Sequence, residues 1–154
     1  MKLRIRNSNK DVKTGDIRKA ANFYAEKLLS KQLLKNIELT IVVRPFEDKG
    51  VIDWLDSPVK PRQFRIILDS KYKTRHTLQI LAHEMVHLKQ FAKGELRDET
   101  LRKRWQFKKQ DIDFVKEDYY FMNHEIEAFG MEMGLYLRMT ENVAVGRQGV
   151  ARSS

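Results

Sequence analysis

The chain has 154 residues, no cysteine, a formal net charge of +9, and 42% hydrophobic against 33% charged residues. This composition suits one soluble globular domain with one core and excludes a disordered chain. The missing cysteine excludes disulfides and thiolate metal sites, so any metal must be held by His, Asp or Glu. No apolar run is long enough to span a bilayer, and the basic stretch Met1 to Arg6 lacks the apolar segment of a secretory signal. A cytoplasmic protein is the expectation.

Residues 1–14 read as polar and extended. Asp16 can cap a helix to about Lys35, with Ile17, Ala20, Ala21, Tyr24, Leu28 and Leu34 at helical spacing. The alternation Ile37, Leu39, Ile41, Val43 predicts a strand. Residues 44–61 hold three prolines and Gly50 and read as a loop or short hairpin around Val51 to Trp54. A second strand is expected over Gln63 to Asp69. Thr74 or Thr77 opens the next helix, which runs to Lys93 and stops at Gly94. Residues 95–120 read as a long charged loop with a short helix. A last helix spans Phe121 to Met139, with Ile126, Phe129, Met133, Tyr136 and Leu137 on its apolar face, and residues 141–154 read as a flexible tail. Residues 1–140 thus form the single expected domain.

Charge is unevenly spread. Residues 1–35 hold ten Lys and Arg against three acids, and a second basic cluster spans Arg97 to Lys109 with Trp105 and Phe107 inside it. Such clusters favour encounter with polyanions, and the two aromatics could stack on bases or anchor a loop to the core. Nucleic acid therefore enters as a partner to be tested.

The segment that carries chemistry is His83-Glu84-Met85-Val86-His87. Two histidines four apart lie on one helix face and can point at one metal, Zn2+ for this ligand type. Glu84 then sits beside the metal, off its coordination sphere, where it can take a proton from the attacking water. A catalytic zinc keeps three protein ligands and an open position. The best source of the third is Asn123-His124-Glu125-Ile126-Glu127-Ala128. On a helix Glu125 and Glu127 point about 200° apart, so only one reaches the metal. The other is left to orient a neighbour or accept a hydrogen bond from a ligand histidine. His124 is a further ligand candidate, and Tyr119, Tyr120 and His124 are candidate donors to the oxyanion.

Leu81-Ala82-His83-Glu84-Met85-Val86-His87, the following Gln90, and the later Glu125-Ile126-Glu127-Ala128 together resemble minimal zincin metallopeptidases. The likeness is to the gluzincin type and to SprT-like proteins of the small phage-encoded kind. The resemblance covers roughly residues 37–138. It implies an α+β zincin-like fold: an N-terminal helix, a small mostly antiparallel sheet, an active-site helix and a C-terminal helix carrying the third ligand. It also implies that Glu125, the first Glu of the ExEA segment, is that ligand, and that a phage-encoded chain would work in the host cytoplasm. SprT-like proteins themselves use a third histidine, and many add a cysteine zinc ribbon, which this chain cannot build. Phe129 stands where thermolysin-like patterns place an Asp four residues after the ligand Glu.

The expected function is zinc-dependent hydrolysis of peptide bonds in a polypeptide substrate, with Glu84 as general base. The strand at 63–68 is expected to border the cleft and pair with extended substrate. The competing readings are a non-catalytic zinc-containing binding module and a DNA-associated protease with a basic nucleic-acid-binding surface. Oligomeric state is left open.

Overall fold

The computed structural model describes residues 1–99, 104–112 and 122–148. The first strand, β1 (Lys2–Asn7), leads into α1 (Thr14–Leu28), the single turn α2 (Lys31–Leu34) and β2 (Glu38–Arg44). β3 (Gly50–Trp54) and β4 (Gln63–Asp69) follow, and β4 feeds α3 (Thr74–Ala92). A small second sheet contains β5 (Leu96–Glu99), β6 (Arg104–Phe107) and β7 (Gln110–Ile112). The long helix α4 (Asn123–Gln148) comes last.

The main sheet has the order β1-β2-β4-β3. β1, β2 and β4 are parallel, and β3 lies antiparallel to β4 at the edge. The second sheet is antiparallel throughout, so three of the five strand pairings among the described residues are antiparallel. The α+β class therefore holds, with a mixed main sheet. Leu39, Ile41, Val43, Phe64, Ile66 and Leu68 alternate onto one sheet face and are buried there under α1 and α3. The other face carries exposed Lys2, Arg4, Arg6, Arg44 and Arg65.

Local features sharpen the sequence reading at the extended start and at Gly94 and depart from it in the first helix. The polar start is a strand, because Leu3 and Ile5 alternate with exposed basic residues and pair with β2. The expected Asp16–Lys35 helix begins at Thr14, places Asp16 in its first turn, and breaks after Leu28. Leu29 and Ser30 are extended there, and the Ser30 hydroxyl accepts the Leu33 N–H at 3.2 Å to start α2. In α3, Gly94 ends the helix at φ 74°. Its N–H donates to the Phe91 carbonyl and that of Glu95 to the Gln90 carbonyl, which satisfies the last turn.

The charged stretch after Gly94 forms strands, not a loop with a helix, in its described part. β6 and β7 are joined by Lys108 and Lys109 alone, with φ of 48° and 67°. That is the backbone of a two-residue hairpin that usually carries Asn and Gly. Lysines there left no turn signature. α4 runs on to Gln148, so residues 141–148 of the expected tail are helical.

The predicted apolar face of α4 is inverted. Ile126, Phe129, Met133 and Leu137 are exposed, while His124, Glu125, Ala128, Leu135 and Met139 are buried. The polar residues face inward because α3 presents its own histidines and glutamine to them. β4, expected to pair with substrate, is hydrogen-bonded on both sides by β2 and β3, so it has no free edge. The terminal strand beside α3 is β3.

Candidate metal centre

α3 lies between β3 and α4, and different sides of it meet each. Towards β3, a Cβ on Gly50 would stand 2.8 Å from the Ile80 Cγ2 and 3.3 Å from the Glu84 Oε1. Glycine is the residue that lets the strand approach the helix this closely. Towards α4, Gln79, His83 and Gln90 make side-chain contacts with Glu132, Glu125, Glu127 and the His124 carbonyl. His83 and His87 lie at the floor between these walls, 8% and 6% exposed.

Their Nε2 atoms are 3.2 Å apart. The Glu125 carboxylate places Oε1 2.7 Å from the His87 Nε2 and Oε2 3.3 Å from the His83 Nε2. Ligand atoms at about 2.0–2.1 Å from a tetrahedral zinc are separated by about 3.3 Å; the Nε2–Nε2 and His83–Oε2 distances match that spacing, and the His87–Oε1 distance is shorter, at 2.7 Å. Among the described residues, these three form the one group of His, Asp and Glu close enough to hold an ion. Glu125 sits in the first turn of α4, where the helix dipole favours a carboxylate.

The tautomers follow from the surrounding hydrogen bonds. Gln90 is fully buried, and its amide N–H groups donate to the His124 carbonyl at 3.0 Å and the Glu127 Oε1 at 3.1 Å. Its carbonyl oxygen is therefore the atom 2.8 Å from the His87 Nδ1, which must donate to it. On His83, Nδ1 faces the Glu132 Oε1 at 3.4 Å, and the other Glu132 oxygen accepts from the Gln79 side chain at 3.1 Å. With both Nδ1 atoms donating, both Nε2 lone pairs and a carboxylate converge on one point. A buried set of two imidazoles and a carboxylate this close together could hold a metal ion, and its donors suit a divalent one.

Electrostatics agree. Burial works to lower the His83 pKa, but hydrogen bonds to Glu125 and Glu132 and the nearby Glu84 charge outweigh it and carry it up to about 9. The site thus draws a proton when it lacks a metal. Burial pushes the Glu84 carboxyl up, partly offset by the two histidines. Glu84 is not one of the three convergent groups.

The remaining sequence candidates fall into place as follows. Glu127 faces away from the ion site. Burial would raise its pKa, but Lys89 at 2.7 Å and Gln90 hold it below the usual carboxylate range. Lys89 also pairs with Glu95 at 2.9 Å, and Lys108 reaches Glu127 at 3.4 Å. Glu127 therefore orients His87 through Gln90, at one remove. The ring of His124 lies 5.9 Å from that of His87, and its Nε2 is 3.9 Å from the Glu125 Oε1. It borders the ligand set without joining it, and burial together with His87 lowers its pKa.

Tyr119 and Tyr120 lie outside the described residues. Trp105 packs edge-on against Phe91, and Phe107 is buried beside His124, so both aromatics of the second basic cluster anchor the small sheet to the core. Glu132 was missed in the sequence. Its signal was its spacing, seven residues after Glu125 and hence on the same helix face. It gives His83 the carboxylate partner that Phe129 cannot.

No described helix is long and apolar enough to cross a membrane. No protein-family model matches the chain, and neither the curated proteins nor the solved structures yield a match.

Proposed function

We propose that this chain is a zinc-dependent metallopeptidase. The observation that carries the reading is the convergence of His83, His87 and Glu125, whose ligand atoms lie within 4.8 Å of one another, with a buried carboxylate, Glu84, next to one of them in the chain. When bound, zinc supplies Lewis-acid chemistry: it lowers the pKa of a water towards neutrality and polarises a carbonyl. His83, His87 and Glu125 would hold it. Glu132 and Gln90 keep the imidazoles in the tautomer that leaves Nε2 free to bind. Glu84 takes the proton of the attacking water and returns it to the leaving amine.

An extended peptide has a natural docking position along β3, the terminal strand, whose first residue lies against Glu84. Adding a strand there uses main-chain hydrogen bonds and demands little of the substrate sequence. A pure binding module has no use for a buried general base beside its metal, which favours the enzyme over that alternative.

The test is Glu84→Gln. It should leave about one zinc per chain by elemental analysis while hydrolysis of an unfolded protein falls by about 10²–10⁴-fold. Wild-type hydrolysis in that variant would overturn the mechanism.

A further inference from the structure

β1 and β3 are the two outer strands of the main sheet, and β1 lies at the edge opposite β3. The Lys2 N–H donates to the Ile37 carbonyl at 2.9 Å and the Ser8 N–H to the Val43 carbonyl at 3.0 Å. Even-numbered residues therefore turn their backbone groups towards β2. The alternation of a strand turns those of Leu3 and Ile5 to the open edge. The Leu3 carbonyl accepts there from the Arg18 guanidinium at 3.4 Å.

The side chains follow the same alternation. Lys2, Arg4 and Arg6 are exposed in one row on the outer sheet face. Leu3 and Ile5 lie on the core face, yet both are only half-buried, whereas their neighbours on β2, Leu39 and Ile41, are buried. The apolar layer thus stays partly open at this edge. Charges on an edge strand ordinarily serve to prevent pairing. They do so here against a second copy of the chain, because two β1 strands side by side would oppose like charges. The same row complements a strand with acids at alternate positions, whose other positions then fall on Leu3 and Ile5 and are apolar. Single-stranded nucleic acid fits the row less well. It needs aromatic platforms between the cations, and the β2 neighbours of Arg4 and Arg6 are Thr40 and Val42.

We propose that the open edge of β1 docks an extended segment of a partner protein in which acidic and apolar residues alternate. The segment adds a fifth strand to the four-stranded sheet. Its backbone pairs with the outward groups of Leu3 and Ile5 and displaces Arg18 from the Leu3 carbonyl. Its carboxylates meet Lys2, Arg4 and Arg6, and its apolar side chains cover Leu3 and Ile5. The site is independent of the peptidase reading.

The probe is a short labelled peptide that alternates Glu with Val, titrated by fluorescence anisotropy against the full chain carrying Glu84→Gln, so that hydrolysis does not intervene. The controls are the same peptide with Lys for Glu, a peptide of the same composition with its Glu and Val in separate blocks, and labelled single-stranded DNA. The alternating peptide should bind at least about tenfold more tightly than either control peptide. Adding Arg4→Glu or Arg6→Glu should weaken its binding by about tenfold at an unchanged urea midpoint, and Arg4→Lys should retain it. N-methylation of one alternate set of peptide amides should abolish binding, and of the other set should leave it intact.

Equal binding of the alternating and blocked peptides, or equal effects of the two N-methylated sets, would overturn the proposal. So would the absence of peptide binding, or binding indifferent to both Arg4→Glu and Arg6→Glu. DNA binding that is lost in those variants, with no binding of the peptide, would overturn it and give the basic row to a nucleic-acid backbone instead.

Discussion

His83 and His87 have unlike partners. His83 faces a carboxylate, Glu132, and His87 faces a neutral amide, Gln90. A carboxylate partner makes an imidazole a stronger donor, whereas the amide mainly fixes its tautomer and direction. Gln90 is itself fixed by the two acceptors on its amide nitrogen, one of them held by Lys89. Gln90→Leu removes the His87 acceptor and leaves Glu127 without its amide donor. Zinc affinity, measured by competition with a chromophoric chelator, should fall by about 10–100-fold. Unchanged affinity would show that His87 needs no partner. His83, Glu84 and His87 could be read in the sequence because their spacing is a local property of one helix. Glu125 could be read only as one of two acids about 200° apart. Gln90 and Glu132 acquire their partners from a neighbouring helix: spacing places Glu132 on the face of Glu125 but does not show that His83 meets it.

The β6–β7 hairpin shows how an element can hide. Lys108 and Lys109 both occupy left-handed backbone, which non-glycine residues adopt at a cost of about 1–2 kcal/mol each. Lys108 is retained by its pairing with Glu127 and Glu95. Lys109 makes no such pairing in the described structure, and glycine there relieves the backbone. Lys109→Gly should stabilise the protein by up to about 1 kcal/mol, read as a shift of the urea midpoint at constant slope. A lower midpoint would mean that the Lys109 side chain contributes more than its backbone costs. The strands of the main sheet were legible because β-branched alternation and burial coincide, as at Leu39, Ile41 and Val43. α4 misled the reading because its apolar periodicity is real but faces outward. Amphipathicity fixes a stripe on a helix and says nothing of which side the rest of the protein approaches.

For the whole molecule, the buried His83 cluster ties folding to pH. The His83 pKa is raised from 6.5 to about 9 in the metal-free chain. A raised folded-state pKa contributes stability that is complete below pH 6.5 and is lost as pH climbs through about 9. The raised Glu84 pKa acts in the same direction. Metal-stripped protein should therefore lose stability, on the order of 3 kcal/mol, between pH 6.5 and 9. Zinc-loaded protein should do the reverse over that window, because the metal competes with the proton for His83. Thermal melts with chelator and with zinc should show opposite slopes; parallel slopes would mean that His83 does not bind the ion. The same tertiary arrangement links the small sheet to the metal centre through Glu95, Lys89 and Glu127.

The sequence by itself determined the helix that carries His83, Glu84 and His87, the strands that lead into it, and a short list of acids that could join the two histidines, because each depends on residues within a few turns or a few strand positions. Only the tertiary structure decided that Glu125 meets the two histidines while Glu127 supports Gln90, that β3 and not β4 ends the sheet, and that the Phe129 ring packs against His83. Those outcomes depend on the approach of α4 to α3. That approach is governed by the packing of Ala128, Leu135 and Met139 against the core and by the demand of buried His83, His87 and Gln90 for polar partners. A polar site inside the fold overrode the apolar stripe of α4 and turned it outward.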